Sequence, residues 1–320
     1  MKPITPDGDP AGRVKHTARR RIEKALRILR KQRIDDEDVH TARKALKKAR
    51  ATLRLLRPGL KCTIYRRSNA ALRDAARPLG AVRDARVLSD TLNDLLVIHQ
   101  AGARALQLDG LKQRIRRQHS RARREFIDDP HVLAHSRRLL QRSRTQLHAS
   151  KLHENDWTLL GQGLRKVYAQ GRAALRQARK RQTPAALHEW RKQVKHLRYA
   201  LEVLSPIWPE MLGKLVEQMH ELSDHLGDSH DLTLLRETAI ANGHYLDDPV
   251  TLDTLLGLIA EQQGKLQAQA ALLGARVFEE KPRTFATRFG QYWRQWCASP
   301  VFPPARMGDN AKAAKAPKTN

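Results

Sequence analysis

Cysteine and aromatic side chains are scarce in this 320-residue chain, and each scarcity removes a class of function. Cys62 and Cys297 are the only cysteines, too few for a disulfide framework or a cysteine-rich zinc site and compatible with a reducing cytosol. Aromatics are 5% of residues and do not interleave with the densest basic segments, which argues against single-stranded bases stacking on the protein. No run approaches the ~18 consecutive apolar residues of a membrane span, and the opening MKPITPDGDPAG lacks the apolar heart of a signal peptide. A cytoplasmic protein with no membrane partner is the expectation. The sequence also offers no Gly-rich loop to cradle a phosphate, no Ser–His or Cys–His arrangement, and no carboxylate cluster to hold Mg2+ beside the basic segments. Phosphoryl transfer usually needs such a metal. Binding without turnover, with no cofactor and no metal, is the simpler expectation.

Acidic residues are in deficit too. Lys and Arg number 61 against 33 Asp and Glu, a formal charge of +28. Such an excess attracts any polyanion, whether nucleic acid, anionic membrane or a phosphate chain, and does not choose among them. With 40% hydrophobic and 29% charged residues the composition is that of a folded protein. The length suffices for two helical modules, each with a core of its own.

What is present is helical periodicity. β-branched runs are almost absent, and Pro or Gly punctuates a period near 3.6. The pattern predicts an all-α fold with helices over 11–32, 36–57, 60–77, 82–100, 104–127 and 131–149, then 155–181, 184–205, 208–225, 228–241, 249–277 and 281–297. Leu79-Gly80-x-x-Arg83-Asp84 has a counterpart in Leu226-Gly227-x-x-His230-Asp231, and the acidic turn Phe126 to Pro130 an echo in Phe278 to Pro282. An internal duplication is expected, with a first helical repeat over 11–150 and a second over 151–297. A flexible 1–10 precedes them and a disordered basic tail, 298–320, follows. Short connections favour antiparallel neighbours within each half. By analogy with homodimers, two equivalent bundles tend to pack about a pseudo-twofold axis, which brings their basic faces to one central groove. Gly80 and Gly227 are expected as caps between helices. Asp84 and Asp231 then fall in the first turn of the next helix, favouring its dipole or holding a nearby Arg or His.

The basic faces carry the strongest signal. His40-x-x-Arg43-Lys44-x-x-Lys47-x-x-Arg50 recurs as His188-x-x-Arg191-Lys192-x-x-Lys195-x-x-Arg198. At ~100° per residue, His40, Arg43, Lys47 and Arg50 share a stripe about 80° wide, extended by Arg54, while Ala42, Leu46, Ala49, Leu53 and Leu56 form a separate apolar arc. Trp190, Val194, Leu197, Leu201 and Leu204 form the matching arc of the second copy. Like charges one turn apart repel, by about 0.2–0.5 kcal/mol per pair. Yet no acid lies between His40 and Arg57, and only Glu189 and Glu202 lie between Leu187 and Leu204. The same cations kept at the same offsets twice point to a shared ligand. Arg offers planar bidentate donation to phosphate oxygens and Lys a mobile point charge, a mixture suited to a repeating phosphate chain. Upstream, Arg20 and Lys24, and Arg165 and Arg172, sit four and seven residues apart on single helix faces and extend the candidate set. His40 and His188 are donors to phosphate oxygens, metal ligands or structural histidines, metal being disfavoured by the cations that follow each.

These residues resemble the CHAD family, the conserved histidine α-helical domain. Its signature is similar to the run from His40 to Arg50 and, more closely, to Leu187-His188-Glu189-Trp190-Arg191-Lys192-Gln193-Val194-Lys195-His196-Leu197-Arg198-Tyr199, and its Leu-Gly elements to Leu79–Asp84 and Leu226–Asp231. The resemblance covers roughly residues 11 to 297. It implies an all-helical pair of bundles around a basic pore that binds inorganic polyphosphate, with some members directed to polyphosphate granules. Carried over, it makes His40, Arg43, Lys44, Lys47, Arg50, His188, Arg191, Lys192, Lys195 and Arg198 the expected contacts. Ala49 stands where the second copy has Leu197, a departure on the core side of the helix that bears on packing. Non-enzymatic polyphosphate binding is the leading expectation. Nucleic acid held through its backbone is the alternative, and a metal-dependent polyphosphate phosphohydrolase a third.

Overall fold

A computed structural model describes residues 9–103, 106–153, 156–246 and 249–298. Among them every regular element is helical: α1 Pro10–Ile28, α2 Asp36–Leu56, α3 Cys62–Ile98, α4 Gln100–Ala103, α5 Asp109–Phe126, α6 Pro130–Ala149, α7 Trp157–Arg181, α8 Pro184–Leu204, α9 Pro209–Ala241, α10 Pro249–Val277 and α11 Pro282–Ala298. Local chemistry sets the starts. Asp35, Asp129, Asp156 and Thr183 accept hydrogen bonds from backbone N–H groups of the first turns of α2, α6, α7 and α8. Pro opens α1, α6, α8, α9, α10 and α11, where its missing N–H costs nothing. Helix α7 stops at Gln182, which takes the left-handed conformation with φ 48°.

Two of the expected helix breaks are absent. The segments 60–77 and 82–100 form the single helix α3, and 208–225 and 228–241 form α9, so Pro78, Gly80 and Gly227 are interior positions rather than caps. Burial runs straight through the expected breaks, at Ala75, Leu79, Val82 and Ala85 in α3 and at Leu222, Leu226, Leu232 and Leu235 in α9. That packing outweighs the ~1 kcal/mol by which a glycine weakens a helix. The helix expected over 104–127 begins at Asp109, after the separate turn α4.

Each half repeats one order of neighbours. Helix α1 packs on α2, α2 on α3, α3 on α5 and α1 on α6; likewise α7 on α8, α8 on α9, α9 on α10 and α7 on α11. Across the halves α2 meets α7 and α8, and α3 meets α9. The core is shared instead of divided as expected. One apolar cluster runs from Ala11 to Trp293 through α1, α2, α3, α6, α7, α8, α9 and α11. Helix α7 lies so close to the end of α2 that a Cβ at Gly163 would overlap the Leu55 backbone carbonyl. A second, smaller cluster joins the C-terminal parts of α3 and α9, at Leu88, Leu92, Leu232 and Leu235, to Leu111, Ile115, Leu255 and Ile259 of α5 and α10. The expected flexible start and basic tail lie outside the described residues, apart from Asp9 and Pro10, which cap and open α1, and Ala298, which ends α11. Among the described residues no helix is long and apolar enough to cross a membrane.

Candidate anion-binding cavity

Where α3 and α9 leave the first apolar cluster and enter the second, they face α2 and α8 across a cavity of about 290 Å3. Its walls are His40, Arg43, Lys44 and Lys47 of α2, Arg83, Asp84 and Val87 of α3, Arg191, Lys195, Arg198 and Tyr199 of α8, and His220, Ser223, Asp224, Gly227, Asp228 and Asp231 of α9. The two basic rows therefore converge. Seven cationic side chains meet four aspartates there.

Part of the counter-charge missing from the basic helices comes from the fold itself. Arg43 Nη2 lies 3.2 Å from Asp84 Oδ1, and Arg191 Nη2 lies 3.7 Å from Asp231 Oδ1. Each of these guanidinium groups rests over a helix surface lacking a Cβ: one built at Gly80 would sit 3.7 Å from Arg43 Nη2, and one at Gly227 3.9 Å from Arg191 Nη2. Arg198 is buried, donates from Nε to Glu202 Oε1 over 3.3 Å and lies 5.1 Å from the Tyr199 ring centre. Lys47 and Lys195 differ. Neither ammonium makes a hydrogen bond or ion pair among the described residues. Burial, with Arg43 and Lys195 nearby, holds Lys47 well below the ordinary lysine range. Burial followed by Arg191 brings Lys195 down to about 7. Two further donors on the cavity wall, Arg83 Nη1 and Arg191 Nε, are buried without an acceptor, although buried donors in folded proteins are almost always satisfied.

The two motif histidines occupy different places. Arg83 donates its Nε–H to His40 Nδ1 over 3.4 Å, which assigns the imidazole proton to Nε2. Burial, then the Arg83 charge, lowers the His40 pKa, so the ring is a neutral donor at physiological pH. His188 lines a smaller adjoining pocket of about 170 Å3, where its ring stands 4.6 Å from that of His230. His230 holds the motif position that Arg83 holds in the first half, and burial followed by Arg191 pulls it down to about 3. With a second neutral ring in place of a guanidinium, His188 Nδ1 is left buried without a partner.

The family model for the CHAD domain matches residues 15–239, a span containing every residue that lines the cavity. The chain belongs to the CHAD domain family. Among solved structures it is similar to PptA from Streptomyces chartreusis, at 17% identity and a TM-score of 0.57 over 90% of this chain and 100% of that one. It is also similar to the CHAD domain from the plant Ricinus communis, at 15% identity and a TM-score of 0.52 over 92% and 94% of the two chains. No curated protein sequence matches.

Within this CHAD domain the other expected site residues stand apart from the cavity. Arg50 donates from Nε to Asn69 Oδ1 over 3.1 Å, and Arg54 from Nη1 to the Arg50 carbonyl over 3.2 Å. Lys192 is exposed and pairs with Glu189 at 2.5 Å. Arg172 donates from Nε to the Phe278 carbonyl over 2.9 Å, satisfying the end of α10. Arg20, Lys24 and Arg165 are exposed on α1 and α7. Conversely, Arg83, Tyr199, His220, Asp224 and Asp228 line the cavity without having been expected there. A signal for the acids existed, because Asp224, Asp228 and Asp231 stand four and three residues apart on one helix face. A break placed at Gly227 divides that face. Burial, then Asp231 and Asp224, raises the Asp228 carboxyl. Among the described residues no group of three or more His, Cys, Asp and Glu is arranged to hold a metal ion. A wider hollow of about 650 Å3 between α3, α5 and α9 sets the exposed Arg114, Arg117 and Arg121 against Asp84, Glu125 and Glu237, with no buried unpartnered donor among them. Its charges balance at its own surface, unlike those of the smaller cavity.

Proposed function

We propose that this protein binds inorganic polyphosphate without turning it over, a short stretch of the chain occupying the cavity between α2, α3, α8 and α9. The observation that carries this reading is the pair of enclosed, unpartnered ammonium groups of Lys47 and Lys195. Desolvating two like charges side by side weakens a fold unless something anionic joins them. A phosphate chain supplies oxygens to both ammoniums and to Arg83 Nη1, Arg191 Nε and the His40 Nε2–H. A cavity of about 290 Å3 is at the small end of ligand sites, so the rest of a long polymer lies outside it, within the field of Lys192, Arg20, Lys24 and Arg165. Membership of the CHAD family supports the assignment. The matched pairs Arg43–Asp84 and Arg191–Asp231 support an internal duplication. On this reading the protein is cytoplasmic and associates with polyphosphate granules, and nucleic acid is a secondary partner.

The test is a competition at fixed ionic strength among long-chain polyphosphate, duplex DNA, RNA and heparin. Wild-type protein prefers polyphosphate, and Lys47→Ala and Lys195→Ala each weaken it about tenfold or more, as befits loss of a charged hydrogen bond, with helicity by circular dichroism unchanged. A preference for DNA, or a double variant with wild-type affinity, would end the proposal. Release of orthophosphate in the presence of Mg2+ would replace binding by hydrolysis.

A further inference from the structure

One wall of the cavity carries charge of the wrong sign for a phosphate chain. Helix α9 presents Glu217, Glu221, Asp224, Asp228 and Asp231 at alternating spacings of four and three, a single face. Asp231 lies inward and pairs with Arg191. The other four are exposed and run outward. Asp224 and Asp228 border both the cavity and an adjoining hollow of about 520 Å3, whose other acids are Glu217 and Glu221 and whose only basic groups are His220 and His225. Glu217 and Asp228 make no hydrogen bond or ion pair among the described residues. In a chain of formal charge +28, four exposed carboxylates are thus gathered beside the cavity where Lys47, all but enclosed by protein, waits for an anion.

We propose that this acidic face of α9 sets specificity, by repelling nucleic acid from the mouth of the cavity. The inference rests on the polyphosphate reading and adds which polyanions the site refuses. A duplex carries its phosphates on the outside of a rod too wide for a cavity of about 290 Å3. Seated at the mouth, it sets phosphates against Glu217, Glu221, Asp224 and Asp228 without reaching Lys47 or Lys195. It meets repulsion and gains no compensating contact. Bare polyphosphate has no sugar or base on its links. It enters, and offsets the same repulsion with contacts to the buried ammoniums and the orphaned guanidinium donors. Discrimination then comes from a repulsive element as much as from an attractive one. Screening confines the effect to roughly 8 Å at physiological salt, so the acids guard the mouth and leave the arginines on other faces untouched.

The experiment compares full-length wild type with a triple variant, Glu217→Gln, Glu221→Gln and Asp228→Asn. All three positions are exposed, and the one ion pair lost is Glu221–His225 at 3.7 Å. Labelled polyphosphate is bound at fixed ionic strength and neutral pH, then displaced with duplex DNA. In the triple variant DNA gains at least about tenfold more affinity than polyphosphate does, the scale of a removed like-charge contact. An unchanged ratio of the two affinities overturns the inference. A triple variant that loses polyphosphate overturns it too, since the carboxylates would then hold the ligand through a bridging divalent cation. Failure of the polyphosphate reading is visible separately, as a wild type without preference for polyphosphate or as undiminished affinity in Lys47→Ala and Lys195→Ala.

Discussion

Lys195 is brought down to about 7 by burial and by Arg191, whereas an exposed lysine titrates near ~10.4. Between those values the folded protein binds fewer protons than the unfolded chain. Stability of the free protein therefore increases with pH across that window: the contribution is complete above the unfolded value and is lost as pH falls through about 7. A bound polyanion reverses the preference, because it favours the ammonium. Polyphosphate binding takes up a proton through this group, so affinity rises as pH falls from the unfolded lysine value toward 7 and levels off below. Calorimetry in buffers of different ionisation enthalpy reads that proton directly. Lys195→Met is expected to bind polyphosphate more weakly, to lose most of this pH dependence, and yet to melt higher, with a gain of ~1 kcal/mol or more at neutral pH on replacing an uncompensated buried charge by a thioether. A Met variant of lowered stability and unchanged pH profile would assign the lysine to the fold and not to a ligand. Arg43 and Arg191 behave oppositely: removal of either leaves Asp84 or Asp231 without its guanidinium.

At the scale of the helix, interior glycines divide into two kinds. A Cβ at Gly80 or Gly227 meets only the guanidinium of Arg43 or Arg191, at 3.7 and 3.9 Å, an ordinary contact. Gly80→Ala and Gly227→Ala should each raise stability by ~0.5–1 kcal/mol through helix propensity, read as a higher denaturation midpoint with an unchanged slope. A drop in stability would show that the arginines need the bare backbone more closely than this geometry states. The same positions mark the limit of what the sequence discloses. The faces of α2 and α8 were legible because offsets of three, four and seven residues are local, and Leu46, Leu53, Val194 and Leu201 fix which side turns inward. The continuity of α3 and α9 was not legible. Pro78, Gly80 and Gly227 are local breakers, and what overrides them is contact with α2 and α8, distant in the chain. Losing that continuity hid the acidic register of α9, and with it half the walls of the cavity. Arg50 and Arg54 illustrate the converse: helical phase places them on the ligand stripe, but Asn69 and the Arg50 carbonyl, reached only through tertiary packing, take their donors.

For the molecule as a whole, the join between the halves decides whether the cavity exists. Its walls come from α2 and α3 on one side and from α8 and α9 on the other, and one apolar cluster spans both halves. Helix α8 is held largely by α7, and α7 is seated on the last turn of α2 at Gly163. Gly163→Ala places a methyl group into the Leu55 backbone, which has no flexible end to move aside. Overpacking of this kind typically costs about 1–3 kcal/mol, and here it pushes apart the helix pair on which the two basic rows depend. The expected result is a single unfolding transition at lower temperature, as a shared core requires, together with weaker polyphosphate binding even though no cavity residue has changed. Because the ligand binds only the assembled form, polyphosphate at a hundredfold excess over its dissociation constant should restore about 2.7 kcal/mol. Thermal melts of wild type and variant, each with and without polyphosphate, measure both terms. Two separate transitions, with polyphosphate raising only one of them, would mean that the halves fold independently and that a single half carries the site.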